Sequence, residues 1–350
     1  MTPVSVCMIV KNEEEKLARC LDSILPYSFE IVIVDTGSTD RTKEVAANYT
    51  DKIYDFSWND DFSAARNFSI SKASYDWIFI LDSDEYVKNL DLEELTYFRL
   101  NLSSAMGTVD RENLSGTPEQ PEYFTDRTER FFNRQLYWYT GLIHEQLTPK
   151  NGQFFDNFLL NATLFHDGYL MNDAEREQKA RRNLTLLLKQ QNNEPENPYL
   201  YYQLGKTSEM MYDYSAACGY YGKGLEYDLD PELAYVQAMV IAYGRCLLHN
   251  GQPEQALQFE QIYDTFSASA DFVYLMGIIY MQNHMYEKAL EEFSRAVTFE
   301  FANETGANSY LSYYQMAQIL ISAGEKELAK QCCQMCGDYP PAQKFLSELE

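Results

Sequence analysis

Residues 77–84 read Trp-Ile-Phe-Ile-Leu-Asp-Ser-Asp, and this stretch decides the fold of the first half of the chain. Its five consecutive apolar residues predict a strand that is buried on both faces, as in the centre of a sheet covered by helices. Asp82 and Asp84 follow where that strand would end. Because ligands bind beyond the carboxyl ends of the strands in open α/β sheets, the stretch also predicts a binding site.

The sequence around this strand alternates short apolar runs with helical periodicity. Five further runs predict strands: residues 4–10, 30–34, 51–56, 130–132 and 159–165. Residues 14–24 predict a helix between the first two of them, and the polar residues 103–121 predict a loop. Strands that alternate with helices form βαβ units, so we expect an α/β domain with a largely parallel sheet.

A repeat of small residues marks the second half of the chain, where the helical pattern is continuous. Four pairs of small residues stand twelve residues apart: Gly205 and Ala217, Gly244 and Ala256, Gly277 and Ala289, and Ala317 and Ala329. The pairs recur at offsets of 39, 33 and 40 residues, close to the tetratricopeptide unit of about 34 residues. A generic helical bundle does not predict a constant interval, so the pattern favours tetratricopeptide repeats, in which small residues lie where paired helices cross.

These patterns divide the chain into three parts. Residues 1–172 are predicted to form the α/β domain, residues 173–196 a helix that bridges the domains, and residues 197–350 the all-α repeat domain. Two domains agree with the length, since 350 residues exceed the usual size of one hydrophobic core.

Composition limits the partners that the chain can bind. A formal net charge of −25 repels nucleic acid and anionic membranes. No segment approaches the ~20 consecutive apolar residues of a membrane helix, and the N-terminus lacks the features of a secretion signal, so we expect a soluble, cytoplasmic protein. A ligand that carries phosphate then has to be held locally, and a divalent cation is one way to do so.

Polar loops follow three of the predicted strands. They are Lys11-Asn12-Glu13-Glu14, Asp35-Thr36-Gly37-Ser38-Thr39-Asp40 and Asp82-Ser83-Asp84. Neither a Gly-x-Gly-x-x-Gly nor a Walker sequence is present, which argues against a dinucleotide oxidoreductase and against an NTPase. The two carboxylates of the third loop have the spacing to hold a hard divalent cation and, through it, a diphosphate. A cation there would neutralise a leaving group as the anomeric bond of a sugar breaks.

On these motifs, together with Ala65-Arg66-Asn67, residues 4–90 resemble family-2 glycosyltransferases of the GT-A fold. With its repeats, the chain is similar to bacterial family-2 enzymes that carry C-terminal tetratricopeptide repeats, a group that includes peptide S- and O-glycosyltransferases of glycosylated bacteriocins. The resemblance implies a Rossmann-like GT-A domain that binds a nucleotide-sugar donor, of which a UDP-sugar is the leading candidate, with Mn²⁺ or Mg²⁺ as the cofactor.

The resemblance also implies roles for individual residues. Asp35 would hydrogen-bond the nucleotide base, Asp84 would hold the cation, and Asp82 would assist through the ribose or the cation. The nucleotide-sugar site would comprise Asn12, Glu13, Asp35, Gly37, Ser38, Arg66, Asp82 and Ser83. A salt bridge at the sheet edge is the alternative role for Arg66.

Residues 141–167 supply the remaining candidates. Gly141-Leu142-Ile143-His144-Glu145 resembles the glycine loop of GT-A enzymes, which is followed by an acidic catalytic residue. Glu145 is therefore the predicted general base of an inverting transfer, and His144 is the alternative. His166 stands where such enzymes have a histidine that completes the metal shell.

Four aromatic residues have two possible roles. Trp58, Tyr137, Trp138 and Tyr139 are predicted either to stack on a sugar or an acceptor, or to pack in the core. Both interpretations stay open at the level of the sequence.

We therefore expect a metal-dependent, inverting glycosyltransferase with a peptide or protein acceptor, because tetratricopeptide grooves bind extended peptides. Two alternatives stay open, a catalytically inactive scaffold that binds a nucleotide-sugar and a glycosyltransferase with a glycan acceptor. Phosphatases that form an aspartyl-phosphate also have Asp-x-Asp after a strand, but they usually place Thr or Val where Tyr86 stands. The exposed faces of the repeats are also compatible with a homodimer.

Overall fold

The computed structural model describes residues 3–102, 104–117, 120–153, 156–170 and 172–349. The chain divides into two compact units, residues 1–190 and 191–350. The first unit combines strands and helices, whereas the described residues of the second unit form helices and no strands. The predicted fold class, an α/β domain followed by an all-α domain, is confirmed, and the domain boundaries at residues 172 and 197 stay a prediction.

The first unit contains ten strands, five α-helices and one 3-10 helix, Leu25–Tyr27, among its described residues. The strands are β1 (Ser5–Val10), β2 (Glu30–Asp35), β3 (Ile53–Asp55), β4 (Trp77–Ile80), β5 (Glu85–Leu90), β6 (Met106–Thr117), β7 (Gln120–Asn133), β8 (Tyr137–Thr140), β9 (Gln146–Pro149) and β10 (Asn157–Leu170). The helices are α1 (Leu17–Ile24), α2 (Thr42–Ala46), α3 (Phe62–Lys72), α4 (Leu92–Asn101) and α5 (Asp173–Asn193), which ends just past the boundary of the unit.

One sheet organises this unit. In the described residues it has eight strands in the order β3-β2-β1-β4-β7-β6-β10-β5, and a separate hairpin pairs β8 with β9. The apolar strand β4 is fully buried and lies between β1 and β7, so its predicted central position is confirmed. Strands β1, β2, β3 and β4 are neighbours in the sheet and all run parallel to one another. Their carboxyl ends therefore meet at one edge of the sheet.

The expectation of a largely parallel sheet is wrong for the other half of the sheet, which is mixed: β10 runs parallel to β6, but the other pairs are antiparallel. Strand β7 runs antiparallel to both β4 and β6, and β5 runs antiparallel to β10. Only two residues separate the end of β6 from the start of β7. Neighbouring strands with so few residues between them have to be antiparallel.

The loop predicted for residues 103–121 is also wrong, because most of this segment is strand β6. Its polar side chains pair with those of β7 across the ribbon. Arg111 Nη2 lies 2.6 Å from Asp126 Oδ2, and Arg127 Nε lies 3.1 Å from Asp110 Oδ1. Opposite charges on facing strands stabilise a ribbon in the way that apolar pairs do elsewhere. A polar composition therefore did not exclude a strand.

The second unit is a series of paired helices. The described helices are α6 (Pro198–Met210), α7 (Tyr214–Gly224), α8 (Ala234–His249), α9 (Pro253–Ala256), α10 (Tyr263–Phe266), α11 (Ala270–Gln282), α12 (Tyr286–Ala296), α13 (Tyr310–Ser322), α14 (Lys326–Met335) and α15 (Pro340–Leu349). The second helix of the pair that begins with α8 is broken into three short pieces. They are α9, a 3-10 segment at Leu257–Ile262 and α10. Among the described helices, none has the length and apolar composition that a bilayer crossing requires.

The repeated small residues lie where these helices cross. A Cβ atom built on Gly205 would lie 2.3 Å from the ring of Tyr221, and one built on Gly277 would lie 2.5 Å from the ring of Phe293. The alanine partners, Ala217 and Ala289, are fully buried on the following helices. Close helix crossings leave no room for larger side chains. The predicted helical repeats are therefore confirmed, and their twelve-residue interval reflects packing.

Candidate active site

The loops after β1 and β2 are bound to each other. The Asn12 side-chain oxygen accepts the Thr39 N–H at 2.8 Å, and the Asn12 N–H donates to Ser38 Oγ at 2.9 Å. The next N–H along the chain, that of Glu13, donates to Thr42 Oγ1 at 2.7 Å. Asn12 has a φ of 55°, a left-handed conformation that asparagine adopts more readily than most residues. The two predicted loops therefore form one connected edge.

The Asp35 carboxylate faces its own loop. It is 1% exposed, and it accepts the Gly37 N–H at 3.1 Å and the Ser38 N–H at 3.0 Å. Gly37 has a φ of 105°, a conformation that L side chains rarely adopt. In this structure Asn12, Asp35, Gly37 and Ser38 shape the edge of the sheet beside the cavity described next. Their contacts with a nucleotide stay a prediction.

A cavity of about 840 Å³ opens at this edge. The predicted site residues that line it are Glu13, Arg66, Asp82, Ser83, Asp84, His144, Glu145 and His166. A volume of this size is typical of sites that hold small molecules and cofactors. The fold therefore brings together candidates that the sequence places on separate loops and strands.

Arg66 connects two of the acidic candidates. Its Nη2 donates to Asp82 Oδ1 at 2.8 Å, and its Nε donates to Glu145 Oε1. The side chain is 10% exposed, and its Nη1 has no hydrogen-bond partner among the described residues. Buried guanidinium nitrogens usually have a partner, so Nη1 is a candidate donor to an anionic ligand. The salt bridge that was the alternative role for Arg66 is present and is compatible with such a contact.

A second arginine, Arg130, holds the other oxygen of Asp82. Its Nη2 lies 3.2 Å from Asp82 Oδ2 and also pairs with the fully buried Glu85. Burial opposes the ionisation of Asp82, but the two arginines outweigh it and hold the pKa of this carboxyl well below its usual range. Both oxygens of Asp82 are in ion pairs with buried arginines, so this residue holds α3 and β7 together at the site. Its predicted role as a cation ligand stays a prediction.

The glycine loop, residues 141–145, and the end of β8 that leads into it are each held by a side chain from a helix. Asn67 on α3 donates from Nδ2 to the Tyr139 carbonyl at 2.8 Å and accepts the Tyr139 N–H at 2.9 Å. From the other side, the Leu142 N–H donates to Gln190 Oε1 on α5 at 2.9 Å. Asn67 of the Ala-Arg-Asn motif therefore holds the strand that leads into the loop. Its neighbour on α3, Arg66, pairs with Glu145 at the end of the loop.

Asp84 and His166 are the candidate metal ligands. Asp84 Oδ2 lies 3.4 Å from His166 Nε2. A Cβ atom at Gly168 would lie 2.0 Å from that oxygen and 2.6 Å from that nitrogen, so the glycine keeps open the space where the two ligand atoms converge. Burial opposes the ionisation of Asp84, but the neighbouring His166 side chain outweighs burial and lowers the pKa of this carboxyl.

The chemistry of these two donors limits the cation that fits them. Mg²⁺ takes oxygen ligands, so a pair of one carboxylate and one imidazole suits a transition metal such as Mn²⁺ better. Within the part of the chain that the structure describes, no group of three or more His, Cys, Asp or Glu side chains is arranged to hold a metal ion. Other ligand positions would therefore fall to donor phosphate oxygens and water, as in other nucleotide sites.

Glu13 is an acidic residue of the cavity with an unusual pKa. Burial, reinforced by the negative charge of Asp84, raises the pKa of Glu13 to about 7. A carboxyl group with this pKa is partly protonated at neutral pH, so it can donate a hydrogen bond as well as accept one. This property suits a contact with a hydroxyl group of a ligand.

Helix α5 adds cationic residues that the sequence analysis missed. Lys179 and Arg182 line the cavity. Burial lowers the pKa of Lys179, whose ammonium group lies 3.3 Å from the Gly168 carbonyl oxygen. The two basic residues are three positions apart and share a helix face. This spacing is visible in the sequence and could have identified the two residues. Arg130, the other basic residue that was missed, belongs to no local sequence pattern that indicates its pairing with Asp82.

The aromatic candidates separate into two groups. Tyr137 and Tyr139 are buried in the core, whereas Trp138 is exposed and is not among the residues that line the cavity. Trp58 lines the cavity and packs edge-on against Phe62 at a ring distance of 4.8 Å, and the Arg182 guanidinium lies 5.6 Å from the ring of Phe62. Trp58 is therefore the aromatic residue of this set that can contact a ligand in the cavity.

Comparison with known proteins agrees with this geometry. A family model described as "Glycosyl transferase family 2" matches residues 5–167. The "TPR repeat-containing protein Synpcc7942_0270" of Synechococcus elongatus is 30% identical over 298 residues, which cover 82% of this chain and 71% of that protein. The "SPbeta prophage-derived glycosyltransferase SunS" of Bacillus subtilis is 25% identical over 294 residues, which cover 81% of this chain and 69% of that protein. These two similarities extend over both units.

A third relative is similar over less of this chain. The "Lipopolysaccharide core biosynthesis glycosyltransferase LpsC" of Rhizobium meliloti is 28% identical over 157 residues, which cover 42% of this chain and 58% of that protein. Its name and that of the Bacillus protein both describe glycosyltransferases.

Replacing Arg130 by methionine should lower the free energy of unfolding by about 3–5 kcal/mol, because Glu85 then stays buried without its main ion-pair partner. The matched control is Arg127→Met on the same strand. Its ion pair with Asp110 is exposed, so the loss should stay below about 1 kcal/mol. Chemical denaturation at neutral pH measures both variants. Equal losses in the two would contradict the anchoring role of Arg130.

Proposed function

Since this chain belongs to glycosyl transferase family 2 and is therefore a glycosyltransferase, we propose that it transfers a sugar from a UDP-linked donor to a side chain of a peptide or protein. We further propose that the transfer needs a divalent cation and inverts the configuration at the anomeric carbon. The observation that carries the proposal is that a carboxylate–imidazole pair, Asp84 and His166, shares one cavity with the carboxylate of Glu145.

Cationic groups in the cavity support an anionic donor. Arg66 Nη1 has no partner in the described chain, and the half-buried Lys179 lies in the same cavity wall. Arginine and lysine side chains are common binders of phosphate groups. The diphosphate of a nucleotide-sugar would be their ligand. Uridine is supported by the family resemblance, with Asp35 as the expected partner of the base.

Asp84 and His166 would hold the cation, which when bound would supply positive charge beside the leaving diphosphate. Gly168 supports this assignment because its missing side chain leaves room between the two donor atoms. Lys179 lies close enough to Asp84 for an electrostatic interaction. It would add further positive charge near the leaving group.

Glu145 is the proposed general base. The hydroxyl or thiol proton of the acceptor passes to a Glu145 carboxylate oxygen as the acceptor atom bonds to the anomeric carbon. The bond between that carbon and the donor phosphate oxygen breaks, and its electron pair leaves with the nucleoside diphosphate. Arg66 holds Glu145 Oε1, so we assign the proton to Oε2. His144, the neighbouring residue with a φ of 50°, is the alternative base.

The repeats support a peptide acceptor. Tyr199 and Tyr202 on α6 and Tyr235 on α8 form a half-buried cluster with ring distances of 5.4 to 6.1 Å. The Lys206 ammonium lies 5.3 Å from the ring of Tyr202. Tyrosines of this kind give a large contact area with little loss of conformational entropy. A cytoplasmic location and a homodimer stay predictions.

The first test is a screen of donors against the full chain. Thermal unfolding and donor hydrolysis are measured with UDP-sugars and GDP-sugars, each with Mn²⁺, Mg²⁺ or EDTA. We expect one UDP-sugar with Mn²⁺ to raise the Tm and to be hydrolysed, because a ligand that binds only the folded state stabilises it. Asp84→Asn should abolish both effects, whereas Asp110→Asn, which changes an exposed carboxylate, should preserve them. Equal hydrolysis in EDTA would refute the cation, and no response to any donor would favour the inactive scaffold.

Glu145→Gln separates donor binding from chemistry. Glutamine keeps an oxygen for Arg66 but cannot take up the proton, so transfer should fall by ~10²-fold or more. The rise in Tm with donor and Mn²⁺ should persist. Transfer is followed by the release of UDP, with His144→Gln measured in parallel. Normal transfer by the Glu145 variant together with a large loss in the His144 variant would reassign the base.

The acceptor class is tested with a synthetic peptide library that contains Ser, Thr and Cys, with a set of free glycans in parallel. Mass spectrometry should find the sugar on peptides. Tyr235→Ala should raise the KM for peptide and leave donor hydrolysis unchanged, whereas Tyr286→Ala, an exposed tyrosine of α12, should change neither. Modification of glycans alone would replace the peptide proposal with the glycan alternative.

A further inference from the structure

A buried hydrogen bond reaches the second ring nitrogen of His166. His166 on β10 and Asn113 on β6 face each other across two parallel strands. His166 Nδ1 and Asn113 Oδ1 are 2.8 Å apart, and Asn113 is fully buried. No motif of the sequence analysis included Asn113, and the proposed transfer does not use it directly.

The other contacts of Asn113 set the orientation of its amide group. Its Nδ2 lies 3.1 Å from the Arg111 carbonyl oxygen and 3.0 Å from Asp126 Oδ1. Both of these atoms are acceptors, so the group that faces them has to be the amide nitrogen. The amide oxygen therefore faces His166. Since an amide oxygen can only accept, the hydrogen between the two residues belongs to His166 Nδ1.

Asp126 is fixed as an acceptor by a bidentate ion pair. Arg111 donates from Nε to Asp126 Oδ1 at 2.9 Å and from Nη2 to Oδ2 at 2.6 Å. Partial burial opposes ionisation, but Arg111 outweighs it and lowers the pKa of Asp126. Asp126 therefore stays ionised at neutral pH. The donor and the acceptor of each hydrogen bond in this series are therefore fixed: Arg111 and Asn113 donate to Asp126, and His166 donates to Asn113.

We propose that Asn113 is a positioning residue that fixes His166 in the tautomer with hydrogen on Nδ1 and so leaves the lone pair of Nε2 for a cation in the space that it shares with the Asp84 oxygen. The inference rests on the proposed function, because it concerns a histidine to which we assign the cation. The Nε2 atom is the one that lies 3.4 Å from Asp84 Oδ2. Histidines that bind metal commonly donate their other ring N–H to a second protein group, which fixes both tautomer and ring orientation.

A neutral partner suits this position better than the carboxylate that often occupies it. Asp82, Asp84 and Glu13 already line the cavity, and Glu85 is buried on the strand beside His166. Another carboxylate in direct contact with the imidazole would add to this negative charge. Asn113 accepts a hydrogen bond from Nδ1 without adding charge. Its amide nitrogen donates to Asp126, whose negative charge is compensated by Arg111.

The tautomer is measured directly on the wild-type chain. Two-bond ¹H–¹⁵N correlation spectra of the histidine-labelled protein, without metal and at pH 8.5 to favour the neutral ring, distinguish hydrogen on Nδ1 from hydrogen on Nε2. The His166 signal is assigned from the spectrum of His166→Gln. We expect hydrogen on Nδ1. Hydrogen on Nε2 would overturn the proposal, and this measurement needs no substitution of Asn113.

The consequence for the cation is measured as the affinity for Mn²⁺ in the presence of UDP, by electron paramagnetic resonance of free Mn²⁺. Asn113→Leu removes the acceptor and should weaken Mn²⁺ binding by roughly 10- to 100-fold. Asn113→Asp keeps an acceptor for Nδ1 but sets a second carboxylate against Asp126 and the Arg111 carbonyl oxygen, so it should regain only part of the affinity. Thr108→Val is the matched control on the same strand, because Thr108 Oγ1 is buried without a hydrogen-bond partner among the described residues.

The outcomes separate this inference from the proposed function. Unchanged Mn²⁺ affinity in Asn113→Leu, beside a large loss in His166→Gln, would overturn the positioning role and leave the proposed cation ligands intact. Equal weakening in Thr108→Val and Asn113→Leu would also overturn it, because the effect would then come from general loosening of β6. If the wild-type chain itself binds no Mn²⁺ with UDP, both the inference and the cation of the proposed function fail.

Discussion

Two buried arginines, Arg66 and Arg130, hold the carboxylate of Asp82 between them, and the rest of the site depends on this contact. Parallel strands bring acidic loops to one edge of the sheet, where like charges at short range would repel strongly in a partly buried cavity. The guanidinium groups compensate that charge. They also come from different elements, α3 and β7, and Arg66 extends the connection to Glu145. The position of the proposed base is therefore coupled to the central strand.

The residues around this centre divide into those that shape the site and those that are available to a ligand. Asn12 and Asn67 use the hydrogen bonds of their side chains to hold neighbouring backbone groups. Arg66 Nη1 and the gap above Gly168 are left for a ligand. A motif residue of this family can therefore be essential because it connects two loops. Its presence in a motif does not by itself indicate contact with substrate.

The sequence predicted the features that depend on local patterns. The buried strand β4 followed from its apolar run, and the helical repeats followed from small residues at constant intervals, since both patterns reflect packing of near neighbours. The ribbon of β6 and β7 was missed because its ion pairs, such as Arg111 with Asp126, replace the alternation of apolar residues that reveals a strand. Arg130 and Asn113 were missed because their partners lie 48 and 53 residues away, and no spacing in one sequence reports such contacts.

The pairing of β6 with its neighbours has a consequence for how the enzyme matures. Successive side chains of a strand point to opposite faces, so a slip of one residue would turn Asn113 away from His166 while leaving most backbone hydrogen bonds possible. The cross-strand pairs Arg111–Asp126 and Asp110–Arg127 oppose such a slip. These pairs join residues only 15 and 17 positions apart, whereas Asn113 and His166 are 53 positions apart, so we expect the ribbon to form before β10 pairs with it. The ion pairs of the ribbon therefore fix the register in which Asn113 meets His166 when β10 is added to the sheet.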